Sequence, residues 1–584
     1  MSKAFAMVAK TPFPFHIPPN SEGIVRESRV SCLWLMQKLT TKNHKGFLFS
    51  ILRSVMKSPF WTPASASVTN LKQIIFGMAT SLSLLTMTAG TAFAAINIPF
   101  TINLSEVVIV TGTPRIAVDV GGNQRFANYT SGTGTNALTF TLSPAIGDID
   151  LDGVTLSSPI DLNGGTIKDA IGNDATLTFI PPNTAGIKIN YPSLGMDFTN
   201  GTSGRYTVNG TAYNDFSSFL AATGGTFSRS SIGTYFDSTG ALQTASANTP
   251  RFDYDPVTHQ PKGIMIEESR TNLLTYSNMS ATTGWAGSNT SLLTVNNPGS
   301  LPAGASACLR DEVNTGQAFG FVHQILTLSL NTTYTFSAWV YIPSTVPAGK
   351  AALTAWYNNA GWLTISSNFI TERDQWVRKT HTFTTNATYP TTIIGAGLSN
   401  ASPGLQSYVC LAQLEQGAFA TSYIPTTTAA VTRARDILSL PIASWFNPAQ
   451  MTMNAEYRSG ATNGYSTRIA SLNEVTHQNT FQLANSGAGS LLSQKVIGGS
   501  ILNNFGQPYV SNTDYKIAGA ISSTTNSIAT NGTLFSNPNF NIPSGMNRLE
   551  IGHENSGSLL NGTIKKLKYY PSAITDPQLQ LMTQ

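Results

Sequence analysis

Residues 248–277 read NTPRFDYDPVTHQPKGIMIEESRTNLLTYS, and this stretch separates two unlike parts of the chain. Its Asp255-Pro256 pair predicts a turn, because an aspartate side chain binds its own backbone and proline fixes φ. A second turn is predicted at Gly263, just before the apolar triplet 264–266, which predicts a short strand. The residues before the stretch resemble leader and spacer segments, whereas those after it show the pattern of β-sandwiches.

Three charged residues follow the triplet within four positions, namely Glu267, Glu268 and Arg270. An arginine can hold a carboxylate through two parallel hydrogen bonds. We therefore interpret the stretch as a structural clamp, in which an arginine–carboxylate contact holds the entry to the next domain. A catalytic role for these carboxylates is the alternative.

The same stretch resembles known proteins. The runs PRFDYDPVT (250–258) and IEESRTNLLTYS (266–277) are similar to a segment found in bacteriophage tail and receptor-binding proteins and in related exported bacterial proteins. The resemblance covers about 227–436 and continues through YTFSAW, QLEQG and TSYIPT at 334–339, 413–417 and 421–426. It implies that a carbohydrate-binding-module-like jelly roll follows the clamp, and it names no ligand.

The composition predicts the fold class. A chain of 584 residues with 49 glycines and 30 prolines is long enough for three or four domains rich in turns. Charged residues make up only 11%, and the many Thr, Ser, Asn and Gly residues suit solvated β-faces. We predict an all-β protein with several antiparallel β-sandwiches in series: one immunoglobulin-like sandwich and two jelly rolls.

The distribution of charge excludes nucleic acid as a partner. The formal net charge is +5, but residues 1–94 carry ten Lys and Arg against two Glu. The rest of the chain is therefore slightly acidic and has no basic patch for a phosphate backbone.

Residues 1–94 predict a leader with a signal peptide. The segment 74–94, IIFGMATSLSLLTMTAGTAFA, is apolar, follows Lys72 and ends in small residues at Ala92 and Ala94. This pattern is typical of a signal-peptide h-region and its cleavage site, so the mature chain is expected to begin at Ala95. A membrane anchor is the alternative, but the Ser, Thr and Gly content makes stable spanning less favourable.

Residues 95–191 alternate in short strand patterns separated by glycine turns, which predicts a small sandwich. The run VTGTPRIAVDVGG (110–122) and the segment GDIDLDGVTLSSPIDLNGG (147–165) resemble the immunoglobulin-like repeats of large bacterial adhesins. The resemblance implies a spacer domain.

A candidate calcium site lies in this spacer. Asp148, Asp150 and Asp152 occupy alternate positions before Gly153, a spacing that lets carboxylate oxygens converge on Ca²⁺. An EF-hand is excluded, because its twelfth position would be Pro159. The alternative is an acidic turn whose aspartates bind backbone amides.

The predicted jelly roll, residues 272–436, is rich in aromatic residues. Alternation along 334–341 places Phe336 and Val340 in the core and Trp339 and Tyr341 on the opposite face. Aromatic rings stack on the C–H faces of sugars, while amide and hydroxyl groups bind sugar hydroxyls. We predict a glycan-binding face formed by Trp339, Tyr341, Trp356, Tyr357 and Trp362. The alternative is that some of these rings belong to the core.

The cysteines leave two interpretations open. Cys32 falls in the leader, while Cys308 and Cys410 lie in apolar strand-like runs. They would form a disulfide if the two strands are neighbours in an oxidising compartment, and otherwise they are two buried free thiols.

Two further segments complete the chain. Residues 192–271 are predicted to be a connector with the clamp, packed on the next domain. Residues 437–584 are predicted to be a second jelly roll, and their end, LEIGHENSGSLLNGTIKKLKYY (549–570), resembles the last strands of concanavalin A-like and laminin-G-like lectin domains.

No paired-carboxylate motif of a glycosidase, no zinc-binding His motif and no nucleophile elbow is present in the sequence. We therefore predict a non-enzymatic glycan-binding protein, extracellular or on the cell surface, or alternatively in a virion tail. It would not contact the membrane after cleavage of the leader, and homo-oligomers are compatible with this architecture. The alternatives are a structural fibre or surface-layer component without sugar binding, and a polysaccharide-degrading hydrolase.

Overall fold

The computed structural model describes residues 91–92, 97–199, 205–358, 362–460, 465–487, 489–539, 541–555 and 557–584. In this described part, antiparallel sheets account for nearly all regular structure and only two short helices occur, which confirms the all-β sandwich class. Apart from Thr91 and Ala92, the predicted leader and its cleavage site lie outside the described residues. Within the described ranges, no helix has the length and apolar character needed to span a membrane.

The first twelve strands are β1 (Thr91–Ala92), β2 (Ile98–Thr111), β3 (Arg115–Val120), β4 (Asn123–Ser131), β5 (Thr135–Leu142), β6 (Ile149–Asp150), β7 (Thr155–Asp161), β8 (Thr166–Asp169), β9 (Ile189–Asn190), β10 (Leu194–Asp197), β11 (Tyr206–Val208) and β12 (Thr211–Tyr213). The next elements are α1 (Phe216–Thr223), β13 (Thr226–Ser228), β14 (Gly233–Phe236), β15 (Leu242–Ala245), β16 (Phe252–Tyr254), β17 (Pro261–Ile266) and β18 (Arg270–Asn272).

The following eleven strands are β19 (Ala286–Ser288), β20 (Thr290–Val295), β21 (Cys308–Val313), β22 (Gly320–Thr327), β23 (Thr333–Tyr341), β24 (Ala351–Asn358), β25 (Trp362–Phe369), β26 (Trp376–Thr384), β27 (Thr391–Leu398), β28 (Gln406–Gln416) and β29 (Val431–Arg433). The last elements are β30 (Ile437–Pro441), β31 (Met451–Arg458), β32 (Thr467–Asn473), β33 (Thr480–Asn485), β34 (Ser490–Ile497), β35 (Ser500–Pro508), β36 (Asp514–Ile521), β37 (Asn526–Thr530), β38 (Thr533–Ser536), β39 (Arg548–Ile551), β40 (Gly562–Tyr570) and α2 (Asp576–Met582).

The N-terminal sandwich shows the predicted period of two. Its main sheet has the strand order β7-β3-β4-β5-β2-β8, and β6 pairs with β9. In β3, Ile116, Val118 and Val120 are fully buried, while Asp119 between them is exposed. Successive side chains of a strand point to opposite faces, so one face of this sheet forms the core.

The two sheets of the jelly roll have the orders β19-β22-β27-β24-β25 and β20-β21-β28-β23-β26. We call them sheet G and sheet H. Their inner faces enclose a core that includes Phe336, Val340 and Leu353. Because β21 and β28 are neighbours, Cys308 and Cys410 face each other and form a disulfide with Cα atoms 4.8 Å apart.

The connector has more partners than the prediction gave it. Residues 192–271 contact the jelly roll as expected, since Leu242 packs against its core and Arg251 donates to Ser422. In addition, β10 and β17 both pair with β40 at the far end of the chain, and β13 pairs with β30. Backbone hydrogen bonds of open strand edges drive this pairing. The jelly roll is thus inserted between two halves of one sandwich.

The junction of the insertion is a buried group of five charges. Asp436 contacts Arg251 at 2.5 Å and Arg229 at 3.0 Å. Glu267 lies 2.9 Å from Arg251 and 3.4 Å from Arg433. The predicted arginine–carboxylate contact is present as the pair of Arg270 with Glu268, whose Nη2 and Oε1 atoms are 2.5 Å apart, whereas Glu267 is held by two arginines that the prediction did not name. Burial alone would raise the pKa of Glu267, but the charges of Arg433 and Arg251 and hydrogen bonds from Ser422 lower it to about 2.

Candidate functional site

A cavity of about 680 Å³ opens on the outer face of sheet G. We call it the sheet-face cavity. It is lined by Ser288, Asn289, Ala318, Phe319, Phe321, Thr354, Trp356, Thr364, Ser367, Ser399 and Asn400.

The aromatic floor of the cavity is created by strand order. Phe321 on β22 and Trp356 on β24 lie on either side of β27, with ring centroids 4.8 Å apart in an edge-to-face contact. Between them, β27 carries Gly395, and a Cβ atom there would lie 2.6 Å from the Val322 carbonyl oxygen and 3.3 Å from the Trp356 ring. A glycine is therefore required for the rings to approach the sheet this closely.

The aromatic residues differ in exposure. Trp356 is 5% exposed and Phe321 is 7% exposed, whereas Phe319 is 38% exposed at the cavity mouth. The two buried rings form a small cluster with Ile393 on this outer face, separate from the inner core. Phe319 is thus the ring most open to a ligand, and the other two hold the floor in place.

The polar lining consists of hydroxyls and carboxamides. Thr354 and Ser367 face each other across β24 and β25, with their hydroxyl oxygens 3.0 Å apart. Asn289 and Asn400 add carboxamides at the end near Phe319. No lining residue is ionisable. Aromatic rings stack on the C–H face of a sugar, and neutral hydroxyl and carboxamide groups bind its hydroxyls, so the lining suits a sugar ring.

The five predicted binding residues do not form one face. Trp356 lines the sheet-face cavity, but Tyr357 is the next residue of the same strand and so points to the opposite face. The Tyr357 hydroxyl accepts a hydrogen bond from the Asn386 amide at 2.8 Å. The backbone of Trp362 pairs with Asn358 at the start of β25, and its side chain lies outside the described residues.

Trp339 and Tyr341 belong to the other sheet. Both lie on β23 of sheet H, so the expectation of a single face shared with Trp356 is wrong, because the two sheets are separated by the core. Tyr341 packs against Trp376 and Tyr408, with ring centroids 5.7 and 5.9 Å apart. Trp339 is half-buried against the core.

Phe319 and Phe321 line the cavity and were not among the predicted binding residues. Phe321 lies in a buried run of β22, and its position opposite Gly397 appears only once β22 and β27 are paired. The signal that was available is the Gly395-Ala396-Gly397 run, because two glycines two apart in a strand mark a close approach on one face.

Each of the three aspartates of the candidate calcium site binds a donor of the protein. Asp148 accepts a hydrogen bond from the Arg125 guanidinium at 2.6 Å, Asp150 accepts from the amides of two glycines, and Asp152 accepts from Gln578. In the described part of the chain, no group of three or more His, Cys, Asp or Glu side chains is arranged to hold a metal ion. The geometry favours the alternative interpretation, an acidic turn whose carboxylates bind donors of the protein.

A protein-family model matches the segment that contains most of the residues lining the sheet-face cavity. The model of a family described as a carbohydrate binding domain matches residues 271–395, which include β19 to β26 and most of β27. The match covers the strands that carry Phe321, Trp356 and Gly395. No protein of curated function matches the chain.

Similar solved structures include three that relate to the predicted modules. The CBM22-1 xylan-binding domain of Paenibacillus barcinonensis Xyn10C is 12% identical, with 26% of this chain and 94% of that one covered and a TM-score of 0.21. The active domain of bacteriophage CBA120 tailspike protein 4 is 10% identical, with 25% and 21% covered and a TM-score of 0.20. Domains LG4-5 of the mouse laminin α1 chain are 8% identical, with 43% and 88% covered and a TM-score of 0.17. At these values the similarities define neither fold nor ligand. The family match over 271–395 and the strand arrangement together make this region a carbohydrate-binding-module-like β-sandwich.

Proposed function

We propose that the protein is a non-enzymatic glycan-binding protein and that the sheet-face cavity holds a neutral glycan. The observation that carries the proposal is the combination of Phe319, Phe321 and Trp356 with an uncharged rim of hydroxyl and carboxamide groups, within the segment matched by a carbohydrate-binding family. Cationic side chains strengthen the binding of carboxylated or sulfated sugars, and no lining residue of this cavity is cationic.

Carbohydrate-binding modules are typically extracellular, and together with the predicted signal peptide this supports a location at a cell surface or in the medium. A virion tail is the alternative location. The signal-peptide segment and the resemblance of residues 248–277 to exported and tail proteins support these two locations. The inserted jelly roll would then present the glycan site, while the sandwich that surrounds it anchors its two ends.

A glycan array with matched neutral and acidic polysaccharides tests the proposal on the full chain. The expected result is a signal on at least one neutral glycan, no release of reducing sugar from it, and loss of the signal when Ser367→Leu fills the cavity. An absence of signal on every neutral glycan, or preferential binding of the acidic partners, would contradict it.

A further inference from the structure

A second cavity, of about 530 Å³, lies where the clamp enters the jelly roll. We call it the junction cavity. Its polar lining is supplied by Glu268, Arg270, Thr271, Thr327, Ser329 and Gln416. It shares no lining residue with the sheet-face cavity, and its walls come from β18 and from the ends of β22 and β28.

The base of the junction cavity is a rigidly held guanidinium. Arg270 is 6% exposed, its Nη2 atom lies 2.5 Å from Glu268 Oε1, and its Cζ atom lies 4.6 Å from the centre of the Phe419 ring. Gly417 makes room for it, because a Cβ atom there would collide with the guanidinium. In the described part of the chain, the buried Nε and Nη2 atoms of Arg270 have no acceptor in hydrogen-bond geometry, although Nη2 is in ion-pair contact with Glu268. Buried donors normally have an acceptor, and Arg270 lines the cavity, which makes an occupant a source of one.

The rim of the cavity presents neutral hydrogen-bonding groups. Thr327, Ser329 and Gln416 are exposed, and the loop that carries Ser329 is fixed because its amide donates to the Tyr334 hydroxyl at 3.1 Å. The arginine and the glutamate at the base neutralise each other. An anionic ligand would meet the Glu268 carboxylate, whereas a hydroxyl group can donate to the carboxylate and accept from the guanidinium.

We infer that the junction cavity is a second binding site, for a neutral saccharide unit, in addition to the sheet-face cavity. A ligand there contacts the clamp and the jelly roll together, so one chain holds a glycan at two separate points. Two weak sites on one chain raise the apparent affinity for a polymer when both are occupied at once. This second site goes beyond the proposed function. Each cavity can be blocked by its own variant, so the failure of one site can be distinguished from the failure of the other.

The test uses the full chain and saturation-transfer NMR with glucose, galactose, mannose and xylose, and with glucuronate and galacturonate as acidic partners. Gln416→Trp fills the junction cavity, and Thr364→Trp is the matched substitution at an exposed position of the sheet-face cavity. We expect at least one neutral sugar whose signal persists in Thr364→Trp and falls about tenfold when Gln416→Trp is added to that variant. The uronates should bind more weakly at this site.

A signal that Gln416→Trp leaves unchanged overturns the junction site, and if Thr364→Trp removes that signal the sheet-face proposal stands. Uronates that bind through Gln416 more tightly than the neutral sugars overturn the ligand class. Melting temperatures verify that both variants fold, and Ser329→Leu replaces Gln416→Trp if that variant does not.

Discussion

Arg251 and Asp436 form a fully buried ion pair, with 2.5 Å between the Arg251 Nη2 and Asp436 Oδ2 atoms and no exposed side-chain surface on either residue. The two residues are 185 positions apart, one before the inserted jelly roll and one after it. The pair therefore closes the insertion, and the sandwich and the jelly roll are joined at a point from which water is excluded.

Asp436→Asn is expected to destabilise the protein by about 3–5 kcal/mol, because it removes the counter-charge of Arg229 and leaves Glu267 alone to balance Arg251 and Arg433. Chemical denaturation measures the change. The control is Asp514→Asn, whose side chain is 51% exposed in its pair with Arg458 and should cost at most about 1 kcal/mol. Equal, small effects for the two variants would show that the junction charges are not needed for folding.

The Asp311 carboxyl gives stability a specific pH dependence. Burial raises its pKa from 3.8 to about 6, against hydrogen bonds from Thr290 and Ser407. The folded state therefore binds this proton more tightly than the unfolded state, so the stabilisation is complete below pH 3.8 and is lost as the pH rises through about 6.

Asp311→Asn removes this titration. Between pH 4 and pH 7 the wild-type chain should lose about 2 kcal/mol more stability than the variant does, as followed by denaturation midpoints. Parallel pH profiles for the two proteins would contradict the assignment.

Gly395→Ala should lower stability by about 1–3 kcal/mol, since the new methyl group meets backbone and the Trp356 ring with no space to move. Affinity for a glycan should fall as well, because the ring that forms the cavity floor is displaced. Gly186→Ala is the control: a Cβ atom there has no neighbour within 4 Å, and its effect should stay within about 0.5 kcal/mol. An unchanged free energy of unfolding in Gly395→Ala would contradict the close packing of the Trp356 ring on β27.

Removal of the Cys308–Cys410 disulfide opens a loop of 102 residues. The double variant Cys308→Ala, Cys410→Ala is expected to be about 2–4 kcal/mol less stable than the oxidised protein. The denaturation midpoint of the oxidised protein should fall on addition of a thiol reductant, and that of the double variant should not. A wild-type midpoint insensitive to the reductant would contradict the pairing.

Local periodicity predicted the strands. It did not predict which side chains share a face of the protein, because that depends on which strands pair. The core positions of Phe336 and Val340 were predicted correctly, because alternation is a property of one strand. Whether Trp339 and Trp356 share a face depends on sheet order, which one sequence does not reveal. The pairing of β10 and β17 with β40 spans hundreds of residues, so this second neighbour of the connector was not predicted.

The domain and the aromatic character of the candidate site were predicted, but most of its individual residues were not. Aromatic enrichment pointed to the jelly roll, and Trp356 does line the cavity. Phe319 and the floor glycines were missed because their roles arise from the approach of β22, β24 and β27. The arginine–carboxylate clamp was recognised, since several charges close together in an otherwise weakly charged chain leave few other roles.

The most direct test of the glycan site compares two exposed phenylalanines of the jelly roll. Phe319 lines the sheet-face cavity and is 38% exposed, whereas Phe369 on β25 is 49% exposed and does not line it. Calorimetric titration of a neutral oligosaccharide selected on the array should show that Phe319→Ala weakens binding about tenfold or more and that Phe369→Ala leaves the affinity within about twofold. Unchanged binding in Phe319→Ala, or an equal loss in both variants, would contradict the sheet-face cavity as the glycan site.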